Sequence, residues 1–374
     1  MAFRILADVE HVLLRPSVYT GFDYGVTEMV ALVVEDGRIK AARVPVDRIA
    51  LKVFDEILVN ACDCIKRVAR AGAEHSVAVD LGDEGFRIEN DGSDIPLGRN
   101  EEWGCHVPHA LFGMLRSSCN YDDGAERTGG GVNGLGCKLT NIMCARMEVC
   151  VSDGASVYTQ TFTENMRRAS EPVVAPLGAS MAPRTVRITA TLDATRCSWS
   201  AHTRSACARR VFDAAACYPD VRVTLDGARV PSAAHEPYAG MYAGEPVLLK
   251  VPGYVVYVAE ASERGLTASF VNGVSTPDHG AHVARTLRRL YEAVAPDGDE
   301  AQWRRFVADK LFLLVFARLD RPVFKGNEKA SVGLPLRPEP CKLDRAQVKK
   351  LARVGAMWTE WAACGCGASA RPWT

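Results

Sequence analysis

Glu56-Ile57-Leu58-Val59-Asn60-Ala61-Cys62-Asp63 sets a carboxylate and an amide four residues apart inside an apolar helical pattern. At i and i+4, Glu56 and Asn60 share one face of a helix. A carboxylate can orient a water and take its proton, and an amide oxygen one turn on can hold a Mg²⁺ ion. Alone, such a pair is more commonly a solvated helix face. The order of the segments that follow changes the reading.

Ile88-Glu89-Asn90-Asp91-Gly92-Ser93-Asp94-Ile95-Pro96 reads as a strand that ends in a tight polar turn. Next come Leu111 to Asp123 (LFGMLRSSCNYDD) and Thr128 to Leu139 (TGGGVNGLGCKL). Glycines at such spacing let backbone N–H groups turn toward a triphosphate, and a helix starting near Cys137 points its N-terminus there. A lone glycine loop can be only a tight turn. Here four polar or glycine-rich segments follow one another within about ninety residues.

In this order the segments resemble the ATP site of the GHKL family, which includes gyrase, heat-shock chaperone ATPases, bacterial histidine kinases and MutL. The likeness is closest to the ATPase region of eukaryotic-type type IIA DNA topoisomerases. It rests on HVLLRPSVYTG from His11, FDEILVNACD from Phe54, LFGMLRSSCNYDD, TGGGVNGLGCKLTNI from Thr128, and Ser269-Phe270-Val271-Asn272-Gly273. It runs with gaps from about residue 8 to about residue 332. The fold it implies is α+β: a GHKL (Bergerat) ATP-binding α/β sandwich over residues 1–232, a ribosomal-S5-like transducer domain over 233–343, and a C-terminal helix and tail over 344–374.

The resemblance also assigns roles. Glu56 matches the general base and Asn60 the Mg²⁺ ligand; Asp63, one turn on, is either a helix-surface charge or a support to them. Asn90 stands where bacterial relatives read adenine with Asp, and Gly92 allows the close turn. Ser118 and Asn120 match ribose and phosphate contacts. Gly129, Gly130, Gly131, Asn133, Gly134, Leu135, Gly136, Cys137 and Lys138 match the lid over the phosphates. Lys329, with Asn327, matches the Gln-Thr-Lys loop that reaches the γ-phosphate from the second domain; Lys325 is the rival lysine. Three positions depart from the pattern. Asp94 replaces a glycine, which changes the local shape expected of the nucleotide rim; were φ positive there, Asp would tolerate it better than most residues. Cys119 replaces a serine, and Val132 replaces an arginine.

The activity implied is ATP hydrolysis with Mg²⁺ by a clamp that forms a homodimer on ATP binding and captures double-stranded DNA. The likeness stops before the TOPRIM and cleavage regions, so a cleavage core is expected in cis or as a separate subunit. About ten residues precede His11, which implies a short cross-protomer arm. The divergence points to a viral or otherwise distant eukaryotic-type source, working at a viral replication site or in the nucleus. Another GHKL ATPase, MutL-like or chaperone-like, is disfavoured by SSCNYDD and SFVNG. A non-hydrolysing nucleotide-binding regulator is disfavoured by Glu56, Asn60, Lys138 and Lys329.

Composition agrees with a two-domain intracellular protein. The 374 residues carry zero net charge, so no global field draws the chain to DNA. Thirteen cysteines are scattered without a CxxC pair. Cys62/Cys64 and Cys364/Cys366 lack a second ligand pair, which favours free thiols of a reducing compartment over zinc. No apolar run reaches membrane-spanning length and no signal-peptide pattern opens the chain.

Periodicity predicts a hairpin turning at Glu35-Asp36-Gly37 and a helix over 49–71. It places strands at 76–81, 85–89, 146–152, 155–162, 184–190 and 221–225, and a helix at 204–218. A lapse near Pro231–Pro237 marks the boundary. Beyond it, strands are predicted at 247–251, 254–260, 266–271 and 311–319, and helices at 282–294 and 344–363. Arg285, Arg288 and Arg289 form either a solvated face or a DNA patch. Trp358, Trp361 and Trp373 are expected to pack.

Overall fold

The computed structural model describes residues 5–68, 74–117, 134–179, 181–230, 235–243, 245–261, 265–294, 300–326 and 329–351. It forms two compact units, one within residues up to Ala233 and one from Ala234 onward.

The first unit opens with helices α1 (Asp8–Leu14) and α2 (Pro16–Thr20). Val12 and Leu13 of α1 are buried in the unit's core, so the opening motif is structural from its second turn. An antiparallel hairpin, Val26–Glu35 with Arg38–Asp47, turns at Asp36-Gly37. Both turn residues have positive φ, 48° and 72°, as a two-residue turn matched to strand twist requires.

Helix α3 (Arg48–Val68) starts at a buried N-cap. The Asp47 carboxylate accepts hydrogen bonds from the Ile49 and Ala50 amides, each at 2.9 Å. Its other oxygen accepts from the Ser198 amide at 2.7 Å, which ties the helix start to a distant part of the chain. Ile49, Val53, Ile57, Ala61 and Ile65 are all buried, as are Ala50, Phe54, Leu58 and Cys62. These two rows at helical spacing make a broad apolar stripe. It lies on a mixed sheet ordered Val173–Pro176, Ser156–Thr163, Cys144–Ser152, Val186–Leu192, Gly85–Asn90, His75–Leu81, Val221–Leu225 and Ala228–Arg229. Arg168–Ala169 pairs on the side of Ser156–Thr163. Among the described pairs in this sheet, Val221–Leu225 with His75–Leu81 is parallel and the others are antiparallel.

Helices α4 (Val107–Gly113), α5 (Gly136–Ile142) and α6 (Ala201–Cys217) join α3 on the apolar face. Alternate sheet residues such as Val186, Ile188, Ala190 and Leu192 point into that core. Phe54 meets Phe86 edge-on at 5.1 Å; full burial of such a ring contributes about 1.5–3 kcal/mol. Between α3 and α6, Arg210 bridges Asp55 and Asp213, each at 2.6 Å. The layered arrangement, helices on one face of a largely antiparallel sheet, is the α+β sandwich expected from the sequence.

The second unit starts with α7 (His235–Tyr242), in the stretch where sequence periodicity lapses. Its sheet is ordered Val247–Val251, Tyr254–Glu260, Leu311–Ala317, Leu266–Val271 and Val274–Ser275. The central strand, LFLLVFA, is buried along its whole length, as its unbroken apolar run requires. One face is covered by α8 (Ala281–Val294) and α9 (Glu300–Lys310), through Val283, Leu290, Val294 and Trp303. On the other, Tyr238 and Tyr242 of α7 pack on Phe270, Phe312 and Phe316. Helix α10 (Arg345–Leu351) follows. The rest of the predicted terminal helix and its three tryptophans lie outside the described residues. On α8, Arg288 and Arg289 pair with Glu292 at 3.1 and 2.8 Å, and Arg289 also donates to the Pro340 carbonyl at 3.0 Å.

Candidate nucleotide site

Lys52, Glu56 and Asn60 stand four apart in one polar row along the edge of the α3 stripe. Lys52 Nζ lies 2.5 Å from Glu56 Oε1, with both side chains about nine-tenths buried. The other carboxylate oxygen faces the first residue of α5. A Cβ on Gly136 would sit 1.9 Å from Glu56 Oε2, so any side chain there would displace the carboxylate. Glu56 is thus held between a lysine on its own helix and the backbone at the start of another. The sequence reading missed Lys52; the signal it offered was the same i, i+4 spacing one turn upstream.

Asn60 is half-buried, one turn beyond Glu56. Asp63 is buried and its carboxylate accepts from the Tyr218 hydroxyl at 3.2 Å. That contact ties α3 to the end of α6, and so favours a packing role over a surface charge. Asn90, 3% exposed, donates from Nδ2 to the Asp91 carbonyl at 2.8 Å. Gly92 has φ 79° and lies against Val68 at the end of α3. Asp91 is fixed by the Ser76 amide and hydroxyl at 2.9 Å each, and by His75 Nδ1 at 2.8 Å. Asp94 is not among the residues with positive φ. No left-handed backbone is asked of it, and its carboxylate pairs with Arg67 at 3.1 Å.

At the lid, Gly134 has φ 60° and Leu135 precedes α5. Cys137 turns its thiol inward, 3.1 Å from the Leu111 carbonyl, and burial raises its pKa. Lys138 is 2% exposed and donates from Nζ to the Ser117 carbonyl at 2.7 Å. It braces the point where the SSCNYDD segment begins. Burial also raises the thiols of Cys62, Cys64, Cys144, Cys197, Cys207 and Cys217, which keeps them protonated and poor as metal ligands.

Ser118, Cys119, Asn120, Gly129, Gly130, Gly131, Val132, Asn133 and Asn327 lie outside the described residues. Lys329 belongs to the second unit; it is half-buried with φ 58°, and Lys325 of the same loop is exposed. Within the first unit the structure brings Glu56 and Gly136 into contact and sets Asn90 to Gly92 beside the far end of α3. Among the described residues no three His, Cys, Asp or Glu side chains form a metal-holding group, and no helix is long and apolar enough to cross a membrane.

The fold is that of a GHKL ATP-binding unit followed by a transducer unit. No protein-family model matches the chain. DNA topoisomerase 2 of Arabidopsis thaliana is 29% identical over 376 residues, covering 94% of this chain and 25% of the plant protein. The Trypanosoma brucei brucei enzyme of the same name is 30% identical over 369 residues, covering 91% of this chain and 30% of its own length. The crystal structure of the ATPase and transducer domains of DNA topoisomerase II from Balamuthia mandrillaris superposes with a TM-score of 0.86 at 26% identity, over 97% of this chain and 98% of that one. The chain is a homologue of the ATPase region of type IIA DNA topoisomerases. It spans between a quarter and a third of the length of these curated relatives.

Proposed function

We propose that the chain binds ATP along α3 and hydrolyses it, with Glu56 as the general base. The observation that carries this reading is the placement of the Glu56 carboxylate between Lys52 and the start of the glycine-led helix α5. One oxygen is held by the lysine, so the other has a fixed direction from which to take a proton from an attacking water. Backbone N–H groups at the start of α5 point away from the helix and can meet phosphate oxygens. In phosphoryl transfer, such positioning and charge neutralisation are most of what a protein supplies.

Asn60 would hold Mg²⁺. Its amide oxygen is a hard donor, and a site with few protein ligands suits an ion that keeps water and phosphate oxygens around it. When bound, the ion would neutralise charge on the phosphates. Asn90 and Gly92 would shape the adenine end; Ser118, Asn120 and residues 129–138 would surround the ribose and phosphates. Lys329, with Asn327, would reach the γ-phosphate from the transducer unit. By likeness to its relatives, the chain would dimerise on ATP, trap double-stranded DNA inside the cell, and act with a cleavage core.

A single variant tests the core of this reading. Glu56→Gln keeps the shape but cannot take the water's proton. It is expected to lose about 10²–10⁴-fold in turnover while still binding ATP. Because it cannot reset, it should also accumulate as a dimer in ATP and Mg²⁺, read by light scattering. Near-normal hydrolysis removes Glu56 from the role; a monomer at saturating ATP removes the clamp.

A further inference from the structure

The Ser269-Phe270-Val271-Asn272-Gly273 motif takes no part in the chemistry just proposed, yet its asparagine has a defined task in the fold. Asn272 and Gly273 turn Leu266–Val271 back into Val274–Ser275, with φ of 51° and 86°. A two-residue hairpin turn needs this left-handed pair, and glycine serves either place. The turn therefore does not account for the asparagine side chain. Leu319 does. Asn272 Nδ2 donates to the Leu319 carbonyl at 2.8 Å, and Asn272 Oδ1 accepts from the Leu319 amide at 2.9 Å. Both residues are buried, at 7% and 3% exposure. The side-chain amide acts as a one-residue strand, satisfying both backbone groups of Leu319 where the chain leaves the central strand.

What leaves there is the segment that carries Lys329. It forms a short antiparallel hairpin, Phe324–Lys325 with Ser331–Val332, and returns against residues 278–280. The Asp278 amide donates to the Ala330 carbonyl at 2.9 Å, and the Val332 amide donates to the His279 carbonyl at 3.1 Å. Gly280 makes that approach possible, since a Cβ there would lie 2.3 Å from the Val332 carbonyl oxygen. One stretch, residues 272–280, thus fixes both the departure and the return of the lysine-bearing loop.

We propose that Asn272 is a positioning residue for Lys329: its clamp on Leu319 sets the root of the loop and so the place where the lysine is presented. The inference rests on the reading of Lys329 as the residue that meets the γ-phosphate. Loss of the clamp leaves two buried backbone groups unpaired and loosens the root of the loop, which the Asp320 amide, on the Arg337 carbonyl, and the Gly333 amide, on the Val323 carbonyl, still hold, while the residues on α3 are untouched.

A double-mutant cycle tests it, with ATP turnover, KM for ATP, ADP affinity and thermal midpoint measured for Asn272→Gly, Lys329→Ala and the pair. Asn272→Gly keeps the turn and removes the clamp. The expected result is about a tenfold fall in kcat for Asn272→Gly, with ADP affinity unchanged. The pair should be no slower than Lys329→Ala alone. Multiplicative effects in the pair, or a wild-type kcat in Asn272→Gly while Lys329→Ala is impaired, would overturn the positioning role and leave the Lys329 reading intact. A wild-type Lys329→Ala overturns that reading, and this inference with it. If Asn272→Gly does not fold, Asn272→Asp, which keeps the acceptor and loses the donor, carries the same cycle.

Discussion

The carboxylate on α3 and the lysine of the second unit are two charged groups held in opposite ways. Glu56 sits on a 21-residue helix whose stripe is buried in a core and whose start is capped by a buried aspartate, and its carboxylate lies close against Gly136 of the neighbouring helix. Lys329 sits on a loop at positive φ, fixed at its two ends by a handful of hydrogen bonds. Strain and loss on the first side spread through packing; on the second they stay within one loop. A group that must be correct before nucleotide arrives belongs on the first kind of support. Under the proposed function Lys329 must engage and let go as the γ-phosphate comes and goes, and such a group belongs on the second.

The sharpest way to break this contrast is Gly136→Ala. The added methyl would lie 1.9 Å from Glu56 Oε2, so the carboxylate or the start of α5 must move. A displacement of about 1 Å in a positioned group can cost roughly 10²-fold in rate. Turnover is expected to fall by about that factor with the circular dichroism spectrum preserved; wild-type turnover would show that the apposition is not used.

Next in size is Lys329→Ala, compared with Lys325→Ala from the same loop. Lys329→Ala is expected to lower kcat about tenfold and weaken binding of a non-hydrolysable ATP analogue, with ADP affinity unchanged. Lys325→Ala should stay within about 0.5 kcal/mol of wild type. The reverse pattern would shift the loop's alignment by four residues.

The smallest effect on turnover at neutral pH, yet a clear one on stability, concerns His282. It is fully buried under the segment that receives the lysine loop, and desolvation pushes its pKa down from 6.5 to about 4. The nearby His279 is lowered too, chiefly by burial. Above pH 6.5 both folded and unfolded chains hold a neutral imidazole, and stability is full. Between about pH 6.5 and 4 the unfolded chain takes up a proton that the folded one refuses. Stability should fall across that window by at most about 3 kcal/mol. Urea midpoints should show the decline in wild type and a flatter profile in His282→Asn; equal slopes would exclude His282 as its source.

Much of the fold was legible because its periods are strong. Val221–Leu225, Val247–Val251, Tyr254–Glu260 and Leu266–Val271 have the bounds that alternation and turn residues predict. Helix α9 was not foreseen, because EAQWRRFVADK offers only Trp303, Phe306 and Val307 to a core and reads as a polar connection. Helix α7 was hidden by the prolines around it. Of the site, the spacing of Glu56 and Asn60 was legible, since it is local. The contact of Glu56 with Gly136, about eighty positions on, was not, and neither was the partnership of Glu56 with Lys52. A lysine one turn before a glutamate is ordinary on any exposed helix; only its burial makes it informative.

The cap on α3 also bears on how the protein is made. Asp47 is satisfied by Ser198 and bonds Thr203, 151 and 156 positions later. Pairings of such long range close slowly, because the entropy of a long loop must be lost before the contact rewards it. A chain emerging from the ribosome holds the Glu56-bearing helix for more than a hundred residues before its start can be sealed. The candidate site is therefore completed late in synthesis: a nascent chain that stops short of Thr203 has Lys52, Glu56 and Gly136 but lacks a partner of the α3 cap and the helix α6 that packs on it.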